Sequence, residues 1–172
     1  RNYQIMVAID DSKSMRDNRK GQMALEALAT LCVSLSTLEA GQFSICKFGS
    51  DVSLLHSFDD TWSDQAGASV FQEFSFDQME TNVHKLMEAM VSLMQDQQTR
   101  MSAEKENQQL AFIISDGLLA SRGMQLVKLI SAAAEKNILL VFILIDNQGD
   151  GASSVLDIQS IVRSGDGKMS RK

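Results

Sequence analysis

One short motif in this chain carries oxygen ligands suited to a hard metal ion. Asp10, Ser12 and Ser14 alternate along the segment that follows the apolar run 3–9. As the chain leaves a strand in a turn, alternate side chains can bring their oxygens to one point. Carboxylate and hydroxyl oxygens suit Mg²⁺ and Ca²⁺. The motif therefore predicts a divalent-cation site, although a strand end running into a helix cap would show the same residues.

Aspartates also end two later apolar runs. Asp116 follows the run 110–114, and Asp146 follows the run 138–145. In an open α/β sheet, ligands bind outside the carboxyl ends of the strands, so Asp10, Asp116 and Asp146 point to the same edge. We place Asp10 and Asp116 at the metal.

Strand and helix patterns alternate around these aspartates. Apolar runs predict strands over 3–10, 110–114 and 138–145, and apolar residues at three-and-four spacing predict helices over 19–38, 80–98 and 121–136. Segments 42–48 and 52–58 read as strands joined by three residues, which suits an antiparallel hairpin. The pattern predicts an α/β fold, with a doubly wound, mostly parallel sheet, one antiparallel edge strand and helices on both faces.

Length and composition indicate one domain. The chain has 172 residues, and 44% of them are hydrophobic, which is enough for one core and too little for two comfortable ones. We expect a single domain over 1–172 with its core over about 3–146. Residues 147–172 are rich in Gly, Ser and Lys, and we expect them to form a loop or an incomplete C-terminal part.

Charge and hydropathy argue against several function classes. The net charge is −6, and the 16 Lys and Arg residues form no dense stripe before 163–172, so direct nucleic-acid binding is not expected. No apolar run reaches the roughly 20 residues that span a bilayer, so no membrane contact is expected. Cys32 and Cys46 lie in apolar patterns without metal or disulfide spacing, so we expect reduced core residues.

Three separated motifs together resemble the von Willebrand factor A domain (von Willebrand A, Rossmann-like fold). Its metal-ion-dependent adhesion site (MIDAS) combines Asp-x-Ser-x-Ser after strand one, a Thr in the second loop and an Asp, often as Asp-Gly, after strand four. The resemblance covers about residues 3–146 and implies Mg²⁺ as the cofactor, with Mn²⁺ or Ca²⁺ as possible substitutes. The implied metal ligands are Asp10, Ser12, Ser14, Thr81 and Asp116. The implied partner-binding residues are Lys13, Met15 and Gly117.

Within that family, segments 9–15, 74–83 and 112–117 are similar to the adhesion-site domains of AAA ATPases that act in ribosome assembly. This similarity implies a binding module without catalytic activity of its own. The coordination of its metal ion would be completed by a Glu or Asp from a ubiquitin-like domain of a pre-60S ribosome-assembly factor. The implied surroundings are the pre-60S particle, the AAA ring of the same chain, and the nucleus, including nucleolus and nucleoplasm. The chain contains no Gly-x-x-x-x-Gly-Lys-Ser/Thr loop, as expected if the ATPase lies outside it.

Several alternatives stay open. Another intracellular von Willebrand A scaffold, of the ubiquitin system or the chelatase type, would carry the same site with a different partner. A Mg²⁺-dependent phosphoryl-transfer domain also places aspartates at strand ends, but a phosphatase of that kind needs Asp-x-Asp where this chain has Asp10-Asp11-Ser12. Ser12, Ser14 and Thr81 would serve as helix caps alone in a metal-free domain.

Two acidic features are expected to be solvated. Asp11 is expected to be an exposed spacer between the residues that face the metal. Asp59, Asp60 and Asp64, with Trp62, are expected to form an acidic loop near the metal-site edge.

Overall fold

Five strands and four α-helices alternate along the described part of the chain. The computed structural model describes residues 3–38, 41–100, 108–116 and 123–145, and of residues 98–100 it describes the backbone. The strands are β1 (Tyr3–Asp10), β2 (Gly41–Phe48), β3 (Val52–His56), β4 (Gln108–Asp116) and β5 (Ile138–Ile145). The helices are α1 (Lys20–Thr37), α2 (Asp64–Gln72), α3 (Val83–Arg100) and α4 (Gly123–Glu135). A 3₁₀ segment, Lys13–Arg19, joins β1 to α1.

The strands form one sheet in the order β3-β2-β1-β4-β5. β1 pairs in parallel with β2 and β4, β5 pairs in parallel with β4, and β3 lies antiparallel to β2 at one edge. The register places Ile9 of β1 opposite Ile114 of β4, so both strands reach their carboxyl ends side by side. The predicted fold class, a mostly parallel sheet with one antiparallel edge strand, is confirmed.

Helices cover both faces of the sheet, because successive residues of a buried strand point to opposite sides. Met6 and Ala8 of β1 pack in a core with α3 and α4, whereas Ile5, Val7 and Ile9 pack in a second core with α1 and α2. β1 therefore reads as a continuous apolar run, as expected for a central strand buried on both faces.

Helix α2 was not predicted from the sequence. It begins after Ser63, whose hydroxyl accepts a hydrogen bond from the Ala66 backbone N–H at 3.2 Å. Its buried residues are Gly67 and Val70, which are too few to show a helical apolar period. The N-cap serine was the signal available in the sequence.

The acidic loop lies at the other end of the sheet from the predicted metal site, so its expected position is wrong. Asp59, Asp60 and Trp62 line a cavity of about 410 Å³ together with Gly41 and Phe43. Gly41 begins β2, which runs parallel to β1, whereas Asp10 ends β1. The error arose because the loop follows β3, which is the one strand among the described residues that runs in the opposite direction.

Both cysteines are free and buried, as predicted. Cys32 lies on α1 and Cys46 on β2, each within one of the two cores. Burial raises the pKa of each thiol to about 12, so both stay neutral at physiological pH. In the described part of the chain, no helix combines the length and apolar character needed to cross a bilayer.

Candidate metal centre

Asp10 is fixed at the end of β1 by bonds from two parts of the chain. Its side chain is buried, at 1% exposure. One carboxylate oxygen accepts a hydrogen bond from the Ser12 backbone N–H at 2.9 Å, and the other accepts one from the Ser115 hydroxyl at 2.6 Å. Because Ser115 belongs to β4, this contact ties the two strand ends together at the predicted site.

The electrostatic surroundings of Asp10 favour a bound cation. Burial raises the pKa of the Asp10 carboxyl above its ordinary value, and the nearby charge of Asp116 raises it further, while the hydrogen bonds from Ser115 and Ser12 lower it. Asp116 is also fully buried. Two buried carboxylates within electrostatic reach of each other repel, and a divalent ion between them would relieve both that repulsion and the cost of burial.

Ser12 and Ser14 present their hydroxyls to each other. Their Oγ atoms lie 3.1 Å apart. Ser12 occupies the N-cap position of the 3₁₀ segment, but its side chain makes no capping hydrogen bond. Helix capping therefore does not explain the serine at position 12. The two hydroxyl oxygens remain available to bind one metal ion.

Thr81 does not cap α3 either. Asn82 does so, since its side-chain oxygen accepts a hydrogen bond from the Lys85 backbone N–H at 3.1 Å. Within the described residues, the half-buried Thr81 side chain has no hydrogen bond. The sequence analysis left open that Thr81 is the helix cap, but the cap is the next residue. The Thr81 hydroxyl is therefore available as a metal ligand.

The loop that carries Thr81, residues 73–82, is bound to the metal-site edge of the sheet. Gln78 donates its backbone N–H to the Asp11 carbonyl at 3.3 Å and accepts from the Lys13 backbone N–H at 2.8 Å. At the end of this loop, the Asn82 backbone N–H donates to the Gly49 carbonyl at 2.8 Å. Thr81 therefore lies between two anchor points, one beside Ser12 and one just after β2.

Asp11 is the main side-chain anchor of the 73–82 loop, so the expectation of an exposed spacer is wrong. It is 1% exposed. One carboxylate oxygen accepts from the backbone N–H groups of Ser75, at 3.1 Å, and Phe76, at 2.7 Å. The other accepts from Gln78 Nε2 at 3.2 Å and lies 3.3 Å from Lys47 Nζ. The side chain that points away from the metal ligands faces this loop and not solvent.

Gly49 allows the 73–82 loop to pack closely against the end of β2. A Cβ atom at Gly49 would lie 2.7 Å from Gln78 Cβ, closer than real contacts permit. We expect Gly49→Ala to lower the free energy of unfolding by about 1 to 2 kcal/mol, measured by urea denaturation, because Gln78 must shift. Gly123→Ala is the control, since a Cβ there meets nothing within 4 Å. Equal stability of the two variants would contradict this account of Gly49.

Asp116 ends β4 and pairs with a lysine that the sequence analysis did not single out. Lys20 Nζ lies 3.2 Å from one Asp116 carboxylate oxygen, and the two side chains are 21% and 1% exposed. Lys20 is the first residue of α1. This edge of the sheet thus brings together the buried carboxylates of Asp10 and Asp116, the facing hydroxyls of Ser12 and Ser14, and the ammonium group of Lys20.

A sequence profile of the von Willebrand factor type A domain matches residues 5–118. The chain belongs to this family. In a von Willebrand A domain the strand-end edge described above carries the MIDAS motif, and the motif residues of this chain occupy that edge.

Two midasins are similar to this von Willebrand A domain over almost its whole length. Midasin of Dictyostelium discoideum is 39% identical over 161 residues, which is 94% of this chain and 3% of that protein. Midasin of Giardia intestinalis is 31% identical over 159 residues, which is 92% of this chain and 3% of that protein. The chain therefore spans a small fraction of the length of these relatives.

Solved structures of other proteins share the fold. BatB of Bacteroides thetaiotaomicron superposes with a TM-score of 0.61 at 17% identity, covering 87% of this chain and 73% of that one. Proximal thread matrix protein 1 from the mussel byssus, in a structure with a zinc-occupied MIDAS motif, superposes with a TM-score of 0.61 at 17% identity, covering 83% of this chain and 38% of that one. At these identities the comparison shows the fold alone.

The structure places the residues expected to contact a partner in different environments. Lys13 is exposed next to the hydroxyl pair. Met15 is fully buried, at 0% exposure, in the core beneath α1 and α2, so the expectation that it contacts a partner is wrong. Met15 is the buried residue of the 3₁₀ segment, whose geometry turns its side chain inward and which the residue string did not reveal. Gly117 and Asp146 lie outside the described residues.

The donor set at this edge fits a hard divalent ion. It combines two carboxylates with neutral hydroxyl oxygens. Oxygen ligands of this kind suit Mg²⁺, whereas softer metals prefer sulfur or imidazole nitrogen ligands. Within the described ranges, no three residues of the types His, Cys, Asp and Glu form a metal-binding group. A metal here would therefore depend on the serine and threonine hydroxyls as well as on the aspartates.

Proposed function

We propose that this von Willebrand A domain is a metal-dependent protein-binding module whose ion is Mg²⁺, with Mn²⁺ or Ca²⁺ as substitutes. The residues that would hold the ion are Asp10, Ser12, Ser14, Thr81 and Asp116. The observation that carries the proposal is the pair of facing hydroxyls of Ser12 and Ser14, 3.1 Å apart beside the buried Asp10, with no capping bond from Ser12.

The charge of the proposed ligands favours an acidic partner. Only Asp10 and Asp116 bring negative charge, because the other three ligands are neutral hydroxyls. Bound Mg²⁺ would supply a Lewis-acidic position, and its preference for six oxygens would leave room for a carboxylate from outside the domain. The domain would therefore bind a Glu or Asp side chain and would act by recognition and not by catalysis.

The similarity to midasins supports a specific class of partner. We propose that the acidic side chain belongs to a ubiquitin-like domain of a ribosome-assembly factor on the pre-60S particle in the nucleus. In this proposal the AAA ring of the same, longer chain acts on the captured factor. The nucleolus and nucleoplasm are the proposed locations.

Calorimetric titration of the domain with such a ubiquitin-like domain tests the proposal. We expect binding with Mg²⁺, none with EDTA, and none when the candidate acidic residue of the partner is changed to Ala. Lys13→Ala is expected to weaken binding modestly, since Lys13 is exposed beside the site. Binding that persists in EDTA would contradict the metal bridge, and metal binding without partner binding would favour another intracellular von Willebrand A scaffold.

A further inference from the structure

Lys20 places an ammonium group at the proposed metal site. Its Nζ atom lies 3.2 Å from Asp116 Oδ2, and its side chain is 21% exposed. The contact joins residues 96 positions apart, so it depends on the folded arrangement of α1 and β4. Lys20 thus occupies part of the coordination space of a carboxylate that is a proposed metal ligand.

The position of Lys20 is unfavourable for α1 itself. A helix N-terminus carries a partial positive charge and favours acidic residues. α1 begins with Lys20 after Arg19, and its first turn contains no acidic residue. The helix would be more stable with a neutral or acidic residue here, so helix stability does not account for this lysine.

The backbone before Lys20 is also strained. Asn18 and Arg19 adopt φ values of 54° and 62°, in the left-handed region, which asparagine tolerates but which is unfavourable for arginine. These two residues turn the chain from the 3₁₀ segment into α1 and set the starting point of the helix. Backbone strain of this kind persists where surrounding structure imposes it, commonly at functional sites.

The charges at this edge indicate what Lys20 does. Asp11 is paired with Lys47 and Asp116 is paired with Lys20, so Lys20 adds one positive charge next to the proposed ligand set. With a divalent ion bound and Lys20 nearby, the centre carries a net positive charge, and an incoming carboxylate would neutralise it. Without Lys20, the loaded centre would already be neutral and would attract an anion less.

We propose that the positive charge of Lys20 weakens metal binding and strengthens binding of the acidic ligand to the metal-loaded site. This inference rests on the proposed function, since it concerns regulation of the same site. Lys20 repels the ion while the site fills, and it adds to the positive field that the ligand carboxylate experiences. The domain therefore has a low affinity for the metal alone and a high affinity for a carboxylate once the metal is bound.

Opposite changes in two affinities test this role. We would compare wild type with Lys20→Met, using Mn²⁺ as the metal probe and acetate as the carboxylate probe. Electron paramagnetic resonance of free Mn²⁺ measures metal binding, and water-proton relaxation of bound Mn²⁺ measures its displacement of water by acetate. We expect Lys20→Met to bind Mn²⁺ about tenfold more tightly and acetate about tenfold more weakly, as for one charge at a partly screened site.

Two further variants control for charge and fold. Lys20→Arg keeps the charge and is expected to stay within about threefold of wild type in both affinities. Lys128→Met removes an exposed charge from the middle of α4 and is expected to change neither affinity. Thermal unfolding without metal would show whether each variant is folded.

The remaining outcomes distinguish failure of this inference from failure of the proposed function. If Lys20→Met weakens both affinities, Lys20 supports the fold of the site, and if it changes neither, Lys20 has no role there. If wild type binds no Mn²⁺, the proposed function fails together with this inference. A failure of ubiquitin-like domains to bind, with the opposite affinity changes present, would overturn only the partner assignment.

Discussion

Asp10→Asn is expected to remove most of the response of the domain to Mg²⁺ while leaving the metal-free protein at least as stable as wild type. The amide keeps the shape of the carboxylate and an oxygen that can accept from the Ser12 backbone N–H. It removes a buried charge whose pKa is raised mainly by burial. Metal affinity should fall by about 100-fold or more, because one of two charged ligands is lost.

Thermal unfolding with and without Mg²⁺ measures this effect. Wild type should gain about 2.7 kcal/mol when free Mg²⁺ is about 100 times its dissociation constant, and Asp10→Asn should gain no more than about 0.4 kcal/mol at the same concentration. Asp64→Asn is the matched control, since Asp64 is an exposed carboxylate on α2. Equal stabilisation of wild type and Asp10→Asn by Mg²⁺ would contradict the assignment of Asp10 as a ligand.

The metal-free wild type should show a matching pH dependence. The pKa of Asp10 is raised above 3.8 in the folded state, so between the unfolded and folded pKa values the folded protein binds more protons. The contribution of protonated Asp10 to stability is full below the unfolded pKa and is lost as pH rises through the folded pKa. Urea denaturation at several pH values gives the unfolding free energy as a function of pH. Asp10→Asn should remove the part of this pH dependence that lies between the unfolded and folded pKa values of Asp10.

Asp11→Ala is expected to cost about 3 kcal/mol of unfolding free energy. The substitution leaves the Ser75 and Phe76 backbone N–H groups and the Lys47 ammonium group without the carboxylate that they contact. Loss of one partner in a buried charged network is among the most destabilising single changes. Since the same carboxylate anchors the 73–82 loop, Thr81 should lose its fixed position, and binding of metal and partner should weaken as well.

Urea denaturation of Asp11→Ala beside Asp17→Ala separates this role from a simple change of charge. Asp17 is an exposed carboxylate in the 3₁₀ segment, and its replacement is expected to change stability by no more than about 0.5 kcal/mol. A loss of less than about 1 kcal/mol in Asp11→Ala would contradict the anchoring role. If a folded Asp11→Ala variant kept the wild-type metal affinity, anchoring of the 73–82 loop by Asp11 would not be needed for metal binding.

The sequence was sufficient to predict the strand ends and the residues at them. A parallel sheet places the carboxyl ends of its strands at one edge, so Asp10 and Asp116 could be assigned to the same place without coordinates. The resemblance to the von Willebrand A motif added Thr81, whose loop the structure anchors beside Ser12 through Gln78.

The features that were missed depend on contacts between distant parts of the chain. Asp11 binds backbone groups 64 and 65 residues away, and no local pattern distinguishes it from a solvated aspartate. Lys20 reaches Asp116 across 96 residues for the same reason. Met15 was placed at the surface because its inward direction is set by the 3₁₀ geometry and not by an apolar period.

The most direct test of the central claim is an X-ray crystal structure of the domain with Mn²⁺, using the anomalous signal of the metal. We expect one anomalous peak bounded by the hydroxyls of Ser12, Ser14 and Thr81 and by the carboxylates of Asp10 and Asp116. A Mn²⁺ peak at other carboxylates, such as Asp59 and Asp60, with none at this edge, would contradict the account.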